Sequence, residues 1–410
     1  MSDRPGGANV RMLLRTAMAI HAWLLAVATR LGPAPRDPGP EGADILLTGT
    51  FHSANWIQAH IAPLAASARC RSIVIVGSAD VSGVAGVQVV PVPRWLRVIG
   101  ATPARLMTFW ILALRRRPDV VGGFHLLVNG LAAVLVGRSC GARAWYFCVG
   151  GPNEALDGGV HAENAYFERL PGPDPVIERR LLDAVRACDL VITMGSSAAA
   201  FFTSRGVRRC EVIAGGIDAA RFQPPATSSR DFDLMVVARL VPIKRLDRFV
   251  EVVRTLSASR PAFRAAMVGD GPLRDELEAL VKTHHLESHV TFAGRQTDVS
   301  AWLRRARVFM LTSESEGLAL AIMEAMTCGL PVVAPRVGDL GDLVEDGVNG
   351  FLVAEGEVSL LAAAAASLID DAALLERFGA AAQKTADRYH LPATIAKWDD
   401  VLGVRVVAAR

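Results

Sequence analysis

Residues 307–334 read RVFMLTSESEGLALAIMEAMTCGLPVVA, which is a strand pattern, a polar turn, a helix pattern and the start of a second strand. The first strand pattern covers Arg307–Leu311, and the apolar helix pattern continues as far as Met326. Gly and Pro after such a pattern usually end a helix, and here they lead into the next strand. The stretch predicts a strand–helix–strand unit of a parallel α/β sheet, with Glu316 on the turn and Glu324 two turns into the helix.

The start of this predicted helix is a candidate site for a diphosphate. The first N–H groups of a helix have no partner within it and carry a partial positive charge, which suits a phosphate. Glu316, just before the helix, could accept hydrogen bonds from sugar hydroxyls, and Glu324 could hold a ribose. Taken alone, the two glutamates would be ordinary, and a helix cap and a solvated helix face explain them more simply.

A second apolar strand pattern, Phe232–Ala238, ends beside two cations. Arg239 follows the strand directly, and Lys244 lies five residues further on, at the predicted opening of a helix. Ligands of open α/β sheets lie beyond the carboxyl ends of the strands, so both cations are expected at that crevice. Lys244 is the first of four lysines among 44 basic residues, and a compact ammonium suits a phosphate. A solvated loop is the alternative for either residue alone.

Taken together, these motifs resemble the donor-binding half of a retaining GT-B glycosyltransferase of family 4. The resemblance is dense from about residue 210 to 355, and the motifs occur in the family's order and spacing. The matching stretches are 212–224, 238–244, 267–273, 292–294, Glu316 with Glu324, and 346–352. Three positions depart from the family pattern: Ala238 and Arg245 stand where Gly is usual, and Asp342 stands where Glu is usual.

The resemblance implies an α/β fold of the GT-B type, with two Rossmann-like domains facing each other across a cleft. It implies a metal-independent glycosyltransferase of the hexosyltransferase type, which retains anomeric configuration and uses a nucleoside-diphosphate sugar as substrate. The diphosphate would be bound by Arg239, Lys244, Gly317, Leu318 and Ala319. Glu324 would hold the ribose, and Glu316 would be catalytic. Neither a cofactor nor a metal ion is expected.

The acceptor side is less clearly marked in the sequence. Its candidate residues are Gly49, His52, Asn55 and Glu154. The loop at Gly49 is not G-x-G-x-x-G, so the chain lacks a dehydrogenase fingerprint. His125 matches a histidine that the family often places beside the reacting centre, and it is the second catalytic candidate, with a purely structural histidine as the alternative. His161 and Asn164 are further acceptor candidates, near the predicted mobile loop at Gly158-Gly159.

Length and element order predict two domains. A chain of 410 residues exceeds what a single core usually spans. Short apolar runs alternate with helix patterns, as is typical of strands buried on both faces of a parallel sheet. In the first half the predicted strands are 44–48, 72–76, 87–90, 119–121, 144–149 and 190–193.

The predicted division of the chain has four parts. An amino-terminal extension covers 1–40, and an acceptor-side Rossmann-like domain covers 41–223. A donor Rossmann-like domain covers 224–389, after a polar, proline-bearing linker at Gln223–Arg230. The tail, 390–410, is predicted to form a helix that crosses back to the first domain.

Positive charge is concentrated near the amino terminus. Residues 1–143 contain 15 arginines, no lysine and six acidic residues, a balance of +9, against +3 for the whole chain. Two basic apolar stretches, 11–30 and 93–117, carry much of this charge. The uncharged run in the first is about 14 residues, too short to span a bilayer, so it predicts an interfacial helix. A helix docked on the protein and an uncleaved spanning anchor are the alternatives.

These stretches predict a peripheral protein on the cytoplasmic, inner face of a membrane. The expected partners are an anionic membrane surface, a nucleotide sugar, and a lipid-linked or saccharide acceptor. Nucleic acid is not expected. The six cysteines form no C-x-x-C pair and have no histidine at zinc spacing, so they are predicted to be unpaired, buried thiols.

Two functions of other classes fit the same architecture. A nucleotide-sugar 2-epimerase or hydrolase would turn over the donor without any acceptor. A non-catalytic nucleotide-sugar-binding protein would turn over nothing. The glutamate pair, together with the two cations, favours glycosyl transfer. The expected acceptor is a lipid-linked or growing polysaccharide or glycolipid intermediate.

Overall fold

The computed structural model describes residues 7–51, 54–81, 83–162, 164–224, 230–354 and 356–403. His52 and residues 225–229 of the predicted linker lie outside this range. The chain divides into two compact units. Unit 1 is formed by Met1–Gly215 with Thr394–Arg410, and unit 2 by Gly216–Ala393.

Unit 1 contains a seven-stranded parallel sheet. Most of its strands are short apolar runs, as is typical of strands buried on both faces of a sheet. Its strands are β1 (Ala43–Thr48), β2 (Cys70–Val76), β3 (Val87–Val90), β4 (Val120–Phe124), β5 (Arg143–Cys148), β6 (Leu190–Thr193) and β7 (Cys210–Val212). They are arranged in the order β3-β2-β1-β4-β5-β6-β7. The six predicted strands are confirmed. The seventh was missed, since β7 has three residues and is only half-buried.

Helices flank this sheet and supply the other half of its core. The helices of unit 1 are α1 (Gly7–Leu31), α2 (Ala54–His60), α3 (Ala62–Ala65), α4 (Ala101–Arg116), α5 (Leu131–Cys140), α6 (Pro175–Arg186) and α7 (Ser196–Ser204). α4, α5 and α6 pack side by side, and α1 lies against α5 and α6. One apolar core joins Leu14 and Met18 of α1 to Val134 of α5 and Leu181 of α6.

Charge also fixes α1 on unit 1. Asp174, which is fully buried, caps α6 by accepting hydrogen bonds from the backbone N–H groups of Val176 and Ile177. The same carboxylate accepts a hydrogen bond from Arg15 Nε at 2.9 Å, and Arg11 Nε lies 3.5 Å away. Two arginines assigned to a membrane face from the sequence therefore pair with a carboxylate of the protein itself. The inner face of α1 therefore agrees with the alternative of a helix docked on the protein rather than with an interfacial helix.

The outer face of α1 is apolar and exposed. Its exposed side chains include Met12, Leu13, Ile20 and Trp23, the last of these 65% accessible. Within the described residues, Asn9–Leu31 is one helix long and apolar enough to cross a membrane, which is longer than the uncharged run alone. A helix pair bent by 104°, Val358–Asp370 with Ala372–Tyr389, meets the same criterion only if taken as one span.

Unit 2 contains a six-stranded parallel sheet. Its strands are β8 (Phe232–Val237), β9 (Ala265–Val268), β10 (Val290–Gly294), β11 (Ala306–Met310), β12 (Val332–Pro335) and β13 (Gly350–Val353), in the order β10-β9-β8-β11-β12-β13. Its helices are α8 (Leu246–Ser257), α9 (Arg274–Thr283), α10 (Val299–Leu303), α11 (Leu320–Thr327), α12 (Val358–Asp370) and α13 (Ala372–Ala386). The apolar face of α8 is buried, Phe249 and Val253 completely.

The structure divides the chain at different residues from those the composition predicted. The boundary falls after Gly215 rather than after residue 223. The reason is that Ile217 bonds within unit 2: its N–H donates to the Tyr389 carbonyl at 2.8 Å, and its carbonyl accepts from Leu391 N–H at 3.0 Å. The tail forms α14 (Leu391–Gly403). From Thr394 onward it belongs to unit 1, where Trp398 is buried.

Candidate functional site

Each sheet has a point where the strand order reverses, and the residues selected from the sequence lie at these two points. In unit 2 the order reverses between β8 and β11, and in unit 1 between β1 and β4. Arg239 and Lys244 follow β8, and Glu316 follows β11; Gly49 follows β1, and His125 follows β4. Ligands of such sheets bind beyond the carboxyl ends of the strands at these switch points.

In unit 2, Lys244 and Glu316 form an ion pair. Lys244 Nζ donates to Glu316 Oε1 at 2.6 Å, and Ser313 Oγ donates to the same oxygen at 2.5 Å. Little of either side chain is exposed, 19% for Lys244 and 8% for Glu316. Because hydrogen bonds between ionised groups are stronger than neutral ones, this pair holds the two loops in register. The sequence predicted both residues for one site, and the structure brings them into contact.

Hydrogen bonds to main-chain carbonyls join the same two loops independently of that ion pair. Thr312 Oγ1 donates to the Lys244 carbonyl at 3.0 Å, and Glu314 N–H donates to the Ile243 carbonyl at 2.9 Å. Truncation of the Lys244 side chain would therefore leave the path of its backbone held. Arg239, the other predicted cation, is exposed at the end of the same strand.

The loop after β8 differs in detail from the prediction. Lys244 ends a 3-10 turn, Pro242–Lys244, and α8 begins only at Leu246. Between them Arg245 has a φ of +46°, in the left-handed region that favours glycine. This explains why the family usually has Gly after the lysine. Here Arg245 makes two hydrogen bonds to Asp247, at 3.1 and 2.8 Å, which offset part of the conformational cost.

Two glycines allow neighbouring loops to pack against the site. Gly269, with φ +141°, lies so close to Ala238 that a Cβ would overlap the Ala238 carbonyl oxygen. Gly338, with φ +52°, approaches the carbonyl oxygen of Glu316 in the same way. Neither position accepts a side chain, which gives a physical reason for the glycine in the 267–273 motif.

The start of α11 lies beside Glu316. The helix begins at Leu320, so Gly317, Leu318 and Ala319 precede it rather than forming its first turn. Among the described residues, no side chain caps this start, and its first turn contains no acidic residue. The first helical hydrogen bond is donated by Ile322 N–H to the Ala319 carbonyl. The first N–H groups of this uncapped helix have no partner within the helix, which suits an anion.

Glu324 lies within α11 and is buried. It is the fifth residue of the helix, just over one turn from the start rather than two turns as predicted. Burial raises the pKa of its carboxyl to about 7, against a smaller lowering by the charge of Arg221. Near neutral pH, Glu324 can therefore either donate or accept a hydrogen bond. Its predicted contact with a ribose stays a prediction.

In unit 1, His125 and Glu154 form a second contact between a basic nitrogen and a carboxylate. His125 Nδ1 lies 3.0 Å from Glu154 Oε1, and Tyr146 Oη donates to Glu154 Oε2 at 2.9 Å. The N–H groups of Gly150 and Leu126 also donate to this carboxylate, the first at 2.5 Å. Glu154 was predicted to contact the acceptor, whereas its buried carboxylate is occupied by four donors of unit 1.

The protonation state of Glu154 follows from these contacts. Burial alone raises the pKa of this carboxyl, but His125 and the two backbone N–H groups outweigh burial and hold the pKa below its usual value. Glu154 is therefore a buried carboxylate at neutral pH. His125 itself has a φ of +64°, an uncommon backbone conformation that is often found at functional sites.

Arg105 of α4 belongs to the same switch point, although the sequence analysis placed it in a basic surface stretch. Its guanidinium donates to the Gly49 carbonyl at 3.1 Å and to Asn129 Oδ1 at 2.9 Å. Asn129 in turn donates to the Phe124 carbonyl at 2.7 Å. Burial lowers the pKa of Arg105. Arg105 lies on the side of α4 that carries the buried residues Ala104 and Thr108, and this position was the signal in the sequence that it faces inward. Its hydrogen-bond partners could not be identified in this way, because they lie 24 and 56 residues away along the chain.

The remaining acceptor-side candidates have different surroundings. Gly49 packs against the Phe124 side chain, and a Cβ at this position would lie 2.8 Å from Phe124 Cβ. Asn55 is half-buried in α2. Asn164 donates to the Leu127 carbonyl at 3.1 Å, and His161 is exposed on the surface. The structure thus groups Gly49 with Arg105, whereas it gives Asn164 a backbone partner.

None of the six cysteines, which all lie within the described residues, forms a disulfide; three are buried and three are half-buried. Within the described ranges, no group of three or more His, Cys, Asp or Glu side chains is arranged to hold a metal ion.

The two sheets define an α/β protein built from two Rossmann-like units, each with polar residues at its switch point. Residues 219–385 match the family model described as glycosyl transferases group 1. The family resemblance inferred from the donor motifs is thereby confirmed.

Two curated relatives each match less than half of this chain. WcaL of Salmonella typhimurium, a putative colanic acid biosynthesis glycosyltransferase, is 34% identical over 187 residues, which are 43% of this chain and 46% of the relative. Glycogen synthase of Mycobacterium tuberculosis is 31% identical over 207 residues, 49% of this chain and 50% of the relative. The chain thus spans about half the length of these curated relatives.

Solved structures share the fold over most of the chain. HepE from Anabaena in complex with UDP has a TM-score of 0.69 at 19% identity, covering 88% of this chain and 99% of that one. Sucrose-phosphate synthase from Thermosynechococcus elongatus has a TM-score of 0.70 at 17% identity, covering 88% and 98%. At this level of identity the likeness concerns the fold, and it confirms the predicted class, α/β with two Rossmann-like units of the GT-B type.

Proposed function

We propose that this protein is a glycosyltransferase that moves a sugar from a nucleoside-diphosphate sugar to an acceptor, with retention of configuration. The observation that carries the proposal is the Lys244–Glu316 pair at the switch point of unit 2, in a segment of the glycosyl transferases group 1 family. The fold neighbour HepE has been solved with UDP and with UDP-glucose, which supports a nucleotide sugar as the ligand.

The proposed chemistry follows from the needs of the leaving group. When the anomeric C–O bond breaks, negative charge grows on the β-phosphate, and the sugar acquires oxocarbenium character. Lys244 has three N–H donors, and one of them already binds Glu316. Its remaining donors, Arg239 and the uncapped start of α11 would stabilise the departing diphosphate. No divalent ion is needed in this scheme.

The other donor-side residues would orient the substrate. Glu316 would accept hydrogen bonds from hydroxyls of the donor sugar, and Glu324 would hold the ribose. His125 would orient the acceptor or steady the reacting sugar. We assign no protein nucleophile, because no side chain at the switch point of unit 2 is singled out for that role by its contacts.

Nucleotide binding is tested by thermal unfolding of the full chain with UDP, GDP and ADP and with their sugar conjugates. A ligand that binds only the folded state stabilises it by about 2.7 kcal/mol at 100 times its Kd. We expect one nucleotide to raise the Tm of the wild type and of Lys282→Ala, a matched variant at an exposed lysine of α9. Lys244→Ala should lose most of this increase. If no nucleotide or nucleotide sugar raises the Tm, the proposal fails.

Turnover separates the proposal from its two alternatives. The donor that binds is incubated with the enzyme alone, and then with a membrane extract as the source of acceptor. A transferase incorporates labelled sugar only in the second incubation. Loss of donor in the first indicates an epimerase or hydrolase, and no turnover in either indicates a nucleotide-sugar-binding protein.

We further propose that the acceptor is a lipid-linked or growing polysaccharide or glycolipid intermediate at the cytoplasmic face of the membrane. Support comes from two exposed apolar surfaces of unit 1. One is the outer face of α1 described above. The other contains Trp95, Val98, Met107, Trp110 and Leu114, beside the basic residues at 115–117. Because α1 and α4 both pack against α5, the two surfaces flank the same helix.

The membrane proposal is tested by co-sedimentation with vesicles that contain or lack anionic lipid. Truncation at Glu41 is a poor test, because Leu14 and Met18 of α1 belong to the core of unit 1. Trp23→Glu and Leu13→Glu instead change exposed positions and leave the docked face intact. We expect salt-sensitive binding by the wild type, since exposed charges are screened beyond about 10 Å at 0.1 M salt, and reduced binding by both variants. Equal, negligible sedimentation of all three proteins would favour a soluble acceptor.

A further inference from the structure

The buried carboxylate of Glu154 is not used by the proposed donor chemistry. It lies on a 3-10 turn, Gly151–Glu154, directly after β5, and 4% of its side chain is exposed. An ionised carboxylate only accepts hydrogen bonds, so each of the four groups in contact with it must be a hydrogen-bond donor. In the contact with His125, the proton is therefore on Nδ1.

We propose that Glu154 is the positioning residue of His125: it keeps Nδ1 protonated and directs the Nε2 edge of the imidazole toward the acceptor. This inference rests on the proposed function, in which His125 lies at the reacting centre. Glu154 itself does not touch the substrate. A carboxylate that holds a histidine by Nδ1 fixes both the tautomer and the orientation of the ring.

The geometry fixes the histidine at two points. The Glu154 carboxylate binds the imidazole through Oε1, and through Oε2 it accepts from the N–H of Leu126, the next residue in the chain. Ring and backbone are thus held by the same group. Because Nδ1 faces the buried carboxylate, the opposite edge of the ring carries Nε2, and 31% of the histidine side chain is exposed.

The charged and titratable groups around this contact come from β5 and α4. Tyr146 and Cys148 come from β5; burial, followed by the charges of Cys148 and Glu154, raises the pKa of Tyr146 well above its usual value, so Tyr146 stays a neutral donor. Arg105, from α4, binds Asn129 and the Gly49 carbonyl within the same switch point. The carboxylate opposes this nearby positive charge and lowers the cost of protonating Nε2.

The test is the titration of His125, followed by NMR in the full-length protein with labelled histidine and no substrate. His125→Ala identifies the signal. In Glu154→Gln, which keeps the shape but removes the charge, the midpoint should fall by about one pH unit or more. The tautomer signature should also be lost. Glu178→Gln is the matched control, because the Glu178 carboxylate accepts from the Asp157 N–H, makes no hydrogen bond to His125 among the described residues, and should leave His125 unchanged.

Tyr146→Phe provides an independent variant with the opposite expected sign. Without the tyrosine hydroxyl, the carboxylate has one donor fewer and attracts the imidazolium more strongly, so the midpoint should rise. A purely structural role for Glu154 would not produce opposite shifts. If Glu154→Gln fails to fold, Tyr146→Phe decides the matter alone. Unchanged titration in the folded variants overturns the inference.

Activity separates this inference from the proposed function. If the shifts occur but no sugar is transferred, the contact stands and the proposed function fails. If sugar is transferred and His125 titrates identically in wild type and Glu154→Gln, the positioning role is wrong while the transferase proposal survives. If both the positioning role of Glu154 and the transferase function hold, Glu154→Gln should lower kcat more than it raises KM.

Discussion

Removal of the Lys244 ammonium should have separate effects on stability and on catalysis, and the two can be measured apart. In Lys244→Ala, the Glu316 carboxylate keeps the Ser313 hydroxyl but loses its charged partner, while only 8% of its side chain reaches solvent. A buried acceptor that loses its partner costs about 1–3 kcal/mol. For a unit of this size, each kcal/mol corresponds to about 2–4 °C in Tm.

The catalytic effect should be larger and should not depend on that stability loss. Removal of one donor that stabilises developing negative charge costs about 100-fold or more in turnover. The double variant Lys244→Ala with Glu316→Gln removes the uncompensated carboxylate as well. We expect it to regain most of the lost stability and none of the lost turnover.

The assay is donor turnover at saturating nucleotide sugar, together with thermal unfolding of each variant. Hydrogen bonds from the Thr312 hydroxyl and the Glu314 N–H to main-chain carbonyls should hold the loop in both variants. Turnover by Lys244→Ala close to that of the wild type would refute the assignment of Lys244 to the diphosphate. Equal stability of the single and double variants would refute the energetic account of the ion pair.

Three further predictions concern neighbouring residues of unit 2. Glu316→Ala should lower turnover more than nucleotide affinity, whereas Glu324→Ala should lower nucleotide affinity more than turnover. Binding isotherms with the free nucleoside diphosphate check this, and the opposite pattern would exchange the roles of the two glutamates. Because burial raises the pKa of Glu324 from 4.5 to about 7, the protonated form stabilises the fold below pH 4.5, and this stabilisation is lost as the pH rises through 7. Relative to Glu324→Gln, the wild type should therefore lose about 3 kcal/mol of unfolding free energy over that range, and parallel pH profiles would contradict it. Arg245→Gly should change the unfolding free energy by less than about 1 kcal/mol in urea denaturation, because relief of a positive φ offsets the exposed ion pair with Asp247; a loss above 2 kcal/mol would show that the ion pair dominates.

The fold was predictable because its signals are local. Strands buried on both faces are continuous apolar runs, and the donor motifs lie within single loops next to them. The predictions of helix starts were less accurate, since α8 and α11 begin a few residues after the predicted positions. Arg245 shows why, since its left-handed conformation delays α8 and is not expected of a residue with a Cβ.

The site in unit 1 was only partly predictable, because its contacts link distant residues. Glu154 was selected as an acceptor contact, yet its partner His125 lies 29 residues earlier. Arg105 was assigned to a basic surface, yet its guanidinium reaches the end of β1. In the same way, the arginines at the start of α1 were counted as membrane charge, although Asp174 is 159 residues from Arg15. Sequence gives the residue type at such positions, whereas the partner depends on the topology of the sheet.

The switch points of the two units have a common arrangement of charge. Each places a basic nitrogen against a carboxylate, Lys244 with Glu316 and His125 with Glu154. In both pairs the carboxylate is the more buried member, so a ligand that reaches either switch point meets the nitrogen first. This order suits an anionic leaving group in unit 2 and a hydroxyl or developing charge in unit 1. It also assigns different tasks to the two carboxylates, because Glu154 is filled by donors of its own unit, whereas the Lys244 partner of Glu316 retains N–H groups for a ligand. In the proposed transfer, Lys244 would hold the diphosphate while its bond to the sugar breaks, and His125 would orient the acceptor.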